Sequence, residues 1–123
     1  MSQLKAFLVL FCSFVSVSFA SGVEYYASHP AALEKALMSC PDKHPHGTSC
    51  DELTGVATNV NQLVSELKWS PQAYGLSILA LETTLGEQTA QNKTPVLQQS
   101  ILQNQQRLHE RLSIIAWLES PGR

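Results

Sequence analysis

The chain has 123 residues and a formal net charge of −2, from eight lysines and arginines against ten aspartates and glutamates. That length predicts one small domain. The acidic balance argues against a nucleic-acid partner, because proteins that bind nucleic acid carry a basic stripe. A chain of this size buries only about 60–65% of its unfolded surface, so we expect an additional cross-link to stabilise the fold.

The first 20 residues have the pattern of a secretory signal peptide. Lys5 precedes an apolar run from Ala6 to Val17, and small residues stand at the third and first positions before a cut after Ala20. The run is shorter than the about 20 apolar residues that span a bilayer, which favours a cleaved leader over a retained anchor. Cys12 lies in the middle of the run, where lipid attachment is not expected. We therefore predict a periplasmic or secreted protein.

Two cysteines remain in the mature chain, residues 21–123, and they enclose the segment "CPDKHPHGTSC". An even number of cysteines in an exported small domain predicts a disulfide, here between Cys40 and Cys50. The same segment offers an alternative. His44 and His46 together with the two cysteines have the ligand types that zinc or copper prefers. Because a metal needs thiolates and oxidation removes them, the disulfide is the preferred interpretation, and a metal site at the two histidines is the alternative.

The first half of the mature chain predicts two helices. In "SHPAALEKALMSC", Ser28 is the expected cap and Pro30 lies in the first turn of a short helix. In "SCDELTGVATNVNQLVSELKW", either Ser49 or Asp51 can cap a longer helix. Apolar residues recur in this second helix at spacings of three and four and predict one buried stripe. The stripe consists of Leu53, Val56, Val60, Leu63, Val64 and Leu67.

The second half predicts a helical hairpin. Ser70 and Pro71 start a third helix, and Thr94-Pro95 predicts either a new helix or a kink within a single long one. The final segment repeats at seven residues, which suits an antiparallel hairpin or bundle. We expect the third helix to be buried through Tyr74, Ile78, Leu81 and Leu85, widened by Leu76 and Leu79. We expect the fourth to be buried through Leu97, Ile101, Leu108, Ile115 and Leu118, with Leu112 adding width. Trp69 and Trp117 could each cap the core or project as an interface anchor, and because aromatic residues are few we expect the core role.

No segment alternates convincingly between apolar and polar residues, so we predict no strand. The predicted fold is a small all-α hairpin or bundle, with one disulfide that ties the short N-terminal helix to the second helix. It forms a single domain over residues 21–123, without a transmembrane segment once the leader is removed.

No pattern of catalytic residues is apparent. The sequence contains no Gly-x-Ser-x-Gly elbow, no phosphate-binding glycine loop and no His-Glu-x-x-His helix, so we predict a protein without enzymatic activity or cofactor. His109 lies off the heptad stripe and is expected to be solvated. The adjacent Tyr25 and Tyr26 lie outside the helical stripes, and tyrosine is enriched where proteins meet. Together with His29 they are the candidate partner-binding residues; the alternative for the tyrosines is packing across the open end of the bundle.

The segment "VEYYASHPAALEKALMSC", followed by a turn with Pro, Asp and Gly and by a second cysteine, resembles a known motif. It is similar to the N-terminal motif of small entry-exclusion proteins of the TrbK/EexN type, which are encoded with conjugation and type IV secretion machinery. The resemblance implies an extended segment before a short helix, and a periplasmic protein that contacts a secretion or mating apparatus and blocks redundant transfer. It covers Val23 to Cys50, and the helical region from Leu53 onward has no counterpart. The matching residues are Val23, Tyr25, Tyr26, His29, Pro30, Leu37, Cys40 and Cys50.

The leading expectation is therefore an exported, non-enzymatic helical interaction protein, accessory to or excluding a type IV secretion or conjugation apparatus. One alternative is a periplasmic metal carrier that uses His44 and His46. The other is a small helical periplasmic chaperone or inhibitor that binds exposed hydrophobic segments.

Overall fold

The computed structural model describes residues 21–40 and 48–121, and this part of the chain forms five α-helices and no strand. The all-α prediction is confirmed. The predicted signal peptide, residues 1–20, lies outside the described residues. No helix in residues 21–40 or 48–121 has both the length and the apolar character needed to cross a membrane. The helices are α1 (Ser21–Ala27), α2 (Pro30–Met38), α3 (Cys50–Trp69), α4 (Pro71–Thr89) and α5 (Pro95–Glu119).

The segment before α2 is helical, whereas the family resemblance implied an extended segment. The Ser28 hydroxyl donates to the carbonyl oxygens of Glu24 at 3.1 Å and Tyr25 at 3.3 Å, so this residue ends α1. The predicted cap of α2 at Ser28 is therefore wrong by one residue. His29 occupies the cap position without a side-chain cap bond, and Pro30 begins the helix. Proline suits that position because its missing N–H would be unpaired there in any case.

The start of α3 follows from local side-chain chemistry. The Ser49 hydroxyl accepts from the backbone N–H of Glu52 at 3.1 Å, and the Ser49 N–H donates to the Glu52 carboxylate at 3.2 Å. This capping box satisfies two donors that the first turn of a helix leaves unpaired. Of the two predicted caps, Ser49 is the one used.

The core forms where α1, α2 and α3 meet the second half of α5. Leu53 on α3 and Ile114 on α5 are fully buried at its centre. The predicted stripe of α3 is confirmed: its first three members are buried, and Leu63, Val64 and Leu67 are partly buried against the core. The buried cluster consists of Tyr26, Ala27, Leu33, Ala36, Leu53, Val56, Val60, Tyr74 and Ile114.

Tyr74 joins the end of α3, the start of α4 and the middle of α5. Its buried hydroxyl donates to the carbonyl oxygen of Arg111 at 2.7 Å. The Arg111 guanidinium lies 5.4 Å from the centre of the Tyr74 ring and 3.4 Å from a Glu66 carboxylate oxygen. Burial raises the pKa of Tyr74, Arg111 opposes the shift and Glu66 adds to it, and together they place the pKa at about 12. The α4–α5 hairpin is thus fixed at its base.

The tip of the hairpin is held by amide side chains. Gln88 on α4 donates to the Ser100 hydroxyl at 2.9 Å and accepts from the Asn104 amide at 3.1 Å. The Thr94 hydroxyl accepts from the backbone N–H of Leu97 at 3.1 Å and caps α5. Of the two alternatives at Thr94-Pro95, the chain uses a new helix rather than a kink.

Several predicted core positions are wrong. Leu76 and Leu79 are exposed instead of widening the seam of α4, and Trp69 is 89% exposed. On α5, Leu112 and Leu118 are exposed, and the neighbouring Ile114 and Trp117 pack into or against the core. The heptad seam of α5 describes contact with one neighbouring helix. Helix α5 contacts α4 and also α2 and α3, so its buried face differs from that seam. Helix α4 is covered on the side toward α5 and contacts α3 as well, which leaves Leu76 and Leu79 on its uncovered side.

Candidate functional site

The turn between α1 and α2 presents two stacked aromatic rings. The Tyr25 and His29 rings are 4.0 Å apart at their centres and 16° from parallel. His29 Nδ1 lies 2.6 Å from the Tyr25 carbonyl oxygen. Because a carbonyl oxygen only accepts, Nδ1 carries the hydrogen of this bond, and in the neutral ring Nε2 is the acceptor. The backbone bond and the ring contact fix the orientation of the histidine.

This stack forms one wall of a groove between α2 and the C-terminal end of α5. Trp117, which is partly buried against the core, lines the groove from α5. The groove has a volume of about 480 Å³, within the range of sites that hold a small ligand or a partner's side chain. Further lining residues are the small Ala32, Ser113 and Ala116 and the charged Lys35 and Glu119. We call these residues, with Tyr25, His29 and Trp117, the aromatic groove.

The two adjacent tyrosines have different environments. Tyr25 is 39% exposed, whereas Tyr26 is 3% exposed and belongs to the core. Burial, and to a lesser extent Tyr25, raises the pKa of Tyr26. The edge of one ring meets the face of the other, with centres 5.4 Å apart. Tyr26 therefore takes the packing role that the sequence left open, and Tyr25 and His29 remain as surface residues of the candidate site.

The disulfide lies at the opposite end of α2. Cys40 and Cys50 are bonded, with their Cα atoms 6.0 Å apart, which confirms the predicted link between the short helix and α3. The bond removes both thiolates from the four-ligand metal arrangement. His44 and His46 lie in residues 41–47, outside the described part of the chain. Within residues 21–40 and 48–121, no group of three or more His, Cys, Asp or Glu side chains is placed to hold a metal ion.

Sequence reasoning did not assign Trp117 to a site, although a signal for its face exists. Ser113, Ala116 and Ser120 recur on α5 at spacings of three and four, with Trp117 beside them. That pattern marks a second helical face but does not say what meets it. His109 is exposed on α5, as predicted, and does not line the aromatic groove.

Comparisons with known proteins do not indicate a family or a function for this chain. No protein-family model matches the chain, and no curated protein or solved structure shows significant similarity to it.

Proposed function

We propose that the protein is exported, has no enzymatic activity and acts by binding another protein in the aromatic groove. The observation that carries the proposal is the Tyr25–His29 stack, part of it exposed, beside Trp117 in a preformed groove. Aromatic side chains offer a large apolar area and a polar edge, and they dominate the energetics of many protein interfaces.

The rigidity of the site supports this role. The Tyr25 ring is flanked by the Tyr26 ring and by the His29 ring. The His29 ring also donates a hydrogen bond to the Tyr25 carbonyl oxygen. Side chains that are already ordered lose little conformational entropy on binding. A partner that inserts an apolar side chain between the stack and Trp117 gains contact area at a low ordering cost.

Export is supported by the disulfide. Disulfides persist in oxidising compartments such as the periplasm and the extracellular space. The predicted leader, with cleavage after Ala20, would deliver residues 21–123 to such a compartment. The periplasmic or secreted location therefore belongs to the same proposal.

The resemblance supports one class of partner, a component of a type IV secretion or conjugation apparatus. The residues that match the motif of this family include two groups. Tyr26, Pro30 and Cys40 serve the fold, being buried or disulfide-bonded. Val23, Tyr25 and His29 are exposed at the surface. In this proposal the protein blocks redundant transfer by occupying a surface of the apparatus, and no cofactor takes part.

Site-specific cross-linking in the native host tests the proposal. A photoreactive residue at position 25 is expected to capture a component of the apparatus, whereas one at position 112 is not. Leu112 is a matched control, because it is 45% exposed against 39% for Tyr25 and does not line the groove.

A mating assay supplies the functional outcome. Recipient cells that produce the protein are expected to accept fewer conjugative transfers, and Tyr25→Ser should remove this protection while Leu112→Ser keeps it. Loss of an interface anchor typically weakens binding by tenfold or more, about 1.4 kcal/mol for each factor of ten. Protection that survives Tyr25→Ser in a normally folded protein would contradict the proposal.

A further inference from the structure

Helix α1 carries Tyr25, part of one wall of the aromatic groove, but it is buried only toward its C-terminal end. Tyr26 and Ala27 belong to the core, whereas residues 23–25 are exposed. A helix of seven residues is too short to be stable alone, so its position depends on contacts with other elements. A helix anchored at one end can pivot about that end. A second contact is therefore needed to fix the direction of α1.

Gln106 on α5 makes a contact of this kind. Its side-chain nitrogen donates to the Glu24 carbonyl oxygen at 2.9 Å, across a sequence separation of 82 residues. The same nitrogen donates to a Glu110 carboxylate oxygen at 3.1 Å. Because a carbonyl and a carboxylate only accept, the nitrogen of the amide, and not its oxygen, faces both partners. Glu110 lies one turn further along α5, so it orients the amide that bonds to α1.

The bond from Gln106 joins the two sides of the aromatic groove. The Ser28 hydroxyl also donates to the Glu24 carbonyl, at 3.1 Å, but that bond lies within the α1–α2 turn and moves with it. Gln106 instead belongs to α5, the helix that carries Trp117 on the other side of the groove. Gln106 itself does not line the groove.

We propose that Gln106 is a positioning residue of the aromatic groove. It holds the N-terminal half of α1 against α5 and so sets where the Tyr25–His29 stack lies relative to Trp117. This inference rests on the proposed function, in which a partner binds between the stack and Trp117. Gln106 contributes to that binding without contacting the partner.

Fluorine NMR of the oxidised protein, produced with fluorotyrosine, tests the position of α1 without any partner. The chain has three tyrosines: Tyr25 and Tyr26 report on α1, and Tyr74 on α4 is an internal control. Gln106→Met keeps about the length of the side chain and removes the donor. We expect the Tyr25 signal to shift or broaden in this variant while the Tyr74 signal stays in place. A variant that only lowers stability would not move the signals of the folded state.

Two further variants separate the hydrogen bond from other effects of substitution at this position. Gln106→Lys supplies N–H donors again and should return the Tyr25 signal toward its wild-type position. Gln105→Met changes the neighbouring exposed glutamine of α5 and should leave all three signals in place. A Tyr25 signal that is unchanged in Gln106→Met, or changed equally in Gln105→Met, would overturn the proposal.

The mating assay measures the consequence for the groove. Binding should weaken about fivefold in Gln106→Met, as expected for the loss of one hydrogen bond, and protection of the recipient should fall with it. Gln105→Met should protect like the wild type. Full protection by Gln106→Met despite a shifted Tyr25 signal would overturn the positioning role. A wild type that gives no protection would contradict the proposed function, whereas the fluorine signals would still decide whether Gln106 holds α1.

Discussion

Reduction of the Cys40–Cys50 disulfide should lower the stability of the protein by an amount that follows from its topology. The bond joins Cys40, two residues past the end of α2, to the first residue of α3, at a sequence separation of 10. In the chain-entropy account, closing a loop of that length removes about 9 cal/mol/K from the unfolded state, or about 2.7 kcal/mol at 25 °C. Small domains are stable by about 5–15 kcal/mol in total, so the loss is a large fraction.

For a domain of about 100 residues, this loss corresponds to a fall in melting temperature of about 10–20 °C. Thermal and urea unfolding followed by circular dichroism would measure it for three forms: the oxidised protein, the reduced protein and the Cys40→Ala/Cys50→Ala double variant. The reduced and double-variant forms should agree, and reoxidation should restore the higher value. An unchanged melting temperature on full reduction would show that the cross-link does not constrain the unfolded chain.

Three further substitutions test the packing and the caps. Leu53→Ala removes a fully buried side chain and should cost about 2–5 kcal/mol in urea unfolding, unlike the exposed Leu102→Ala. Ser49→Ala breaks the capping box and should cost about 1 kcal/mol, with loss of protection from hydrogen exchange confined to the first turn of α3. Tyr74→Phe removes the hydrogen bond that the Tyr74 hydroxyl donates to the Arg111 carbonyl and should cost about 1 kcal/mol near neutral pH. The same phenol binds its proton more tightly when folded, so its contribution is complete below pH 10 and is lost as pH rises toward 12, with a slope of at most about 1.4 kcal/mol per pH unit. Alkaline unfolding that is equally steep in Tyr74→Phe would contradict this assignment.

Helix starts could be predicted from the sequence because they are decided by neighbouring residues. These residues act within one turn. Pro71 opens α4 as predicted, and the structure uses one of the two predicted alternatives at Ser49 and at Thr94-Pro95. The short helix α1 could not be predicted in the same way. A helix of seven residues is not stable alone, and this one depends on placing Tyr26 and Ala27 in the core.

Periodicity states which residues share a face but not which face is covered. On α4, the inner and outer faces are both apolar, and the sequence could not tell that Leu76 and Leu79 would be left exposed. On α5, the heptad pattern favoured Ile115, while contact with the other helices buries the adjacent Ile114 more deeply. The candidate site shows the same limit: the pair Tyr25 and Tyr26 was found from sequence, but its division into a surface and a core residue depends on where α1 lies.

The disulfide and the proposed partner both depend on export of the polypeptide to an oxidising compartment. Intact-mass analysis of the protein isolated from its native host measures this. We expect a chain that begins at Ser21 and is lighter than the reduced form by two thiol hydrogens. A chain that retains Met1 and has free thiols at Cys40 and Cys50 would contradict it.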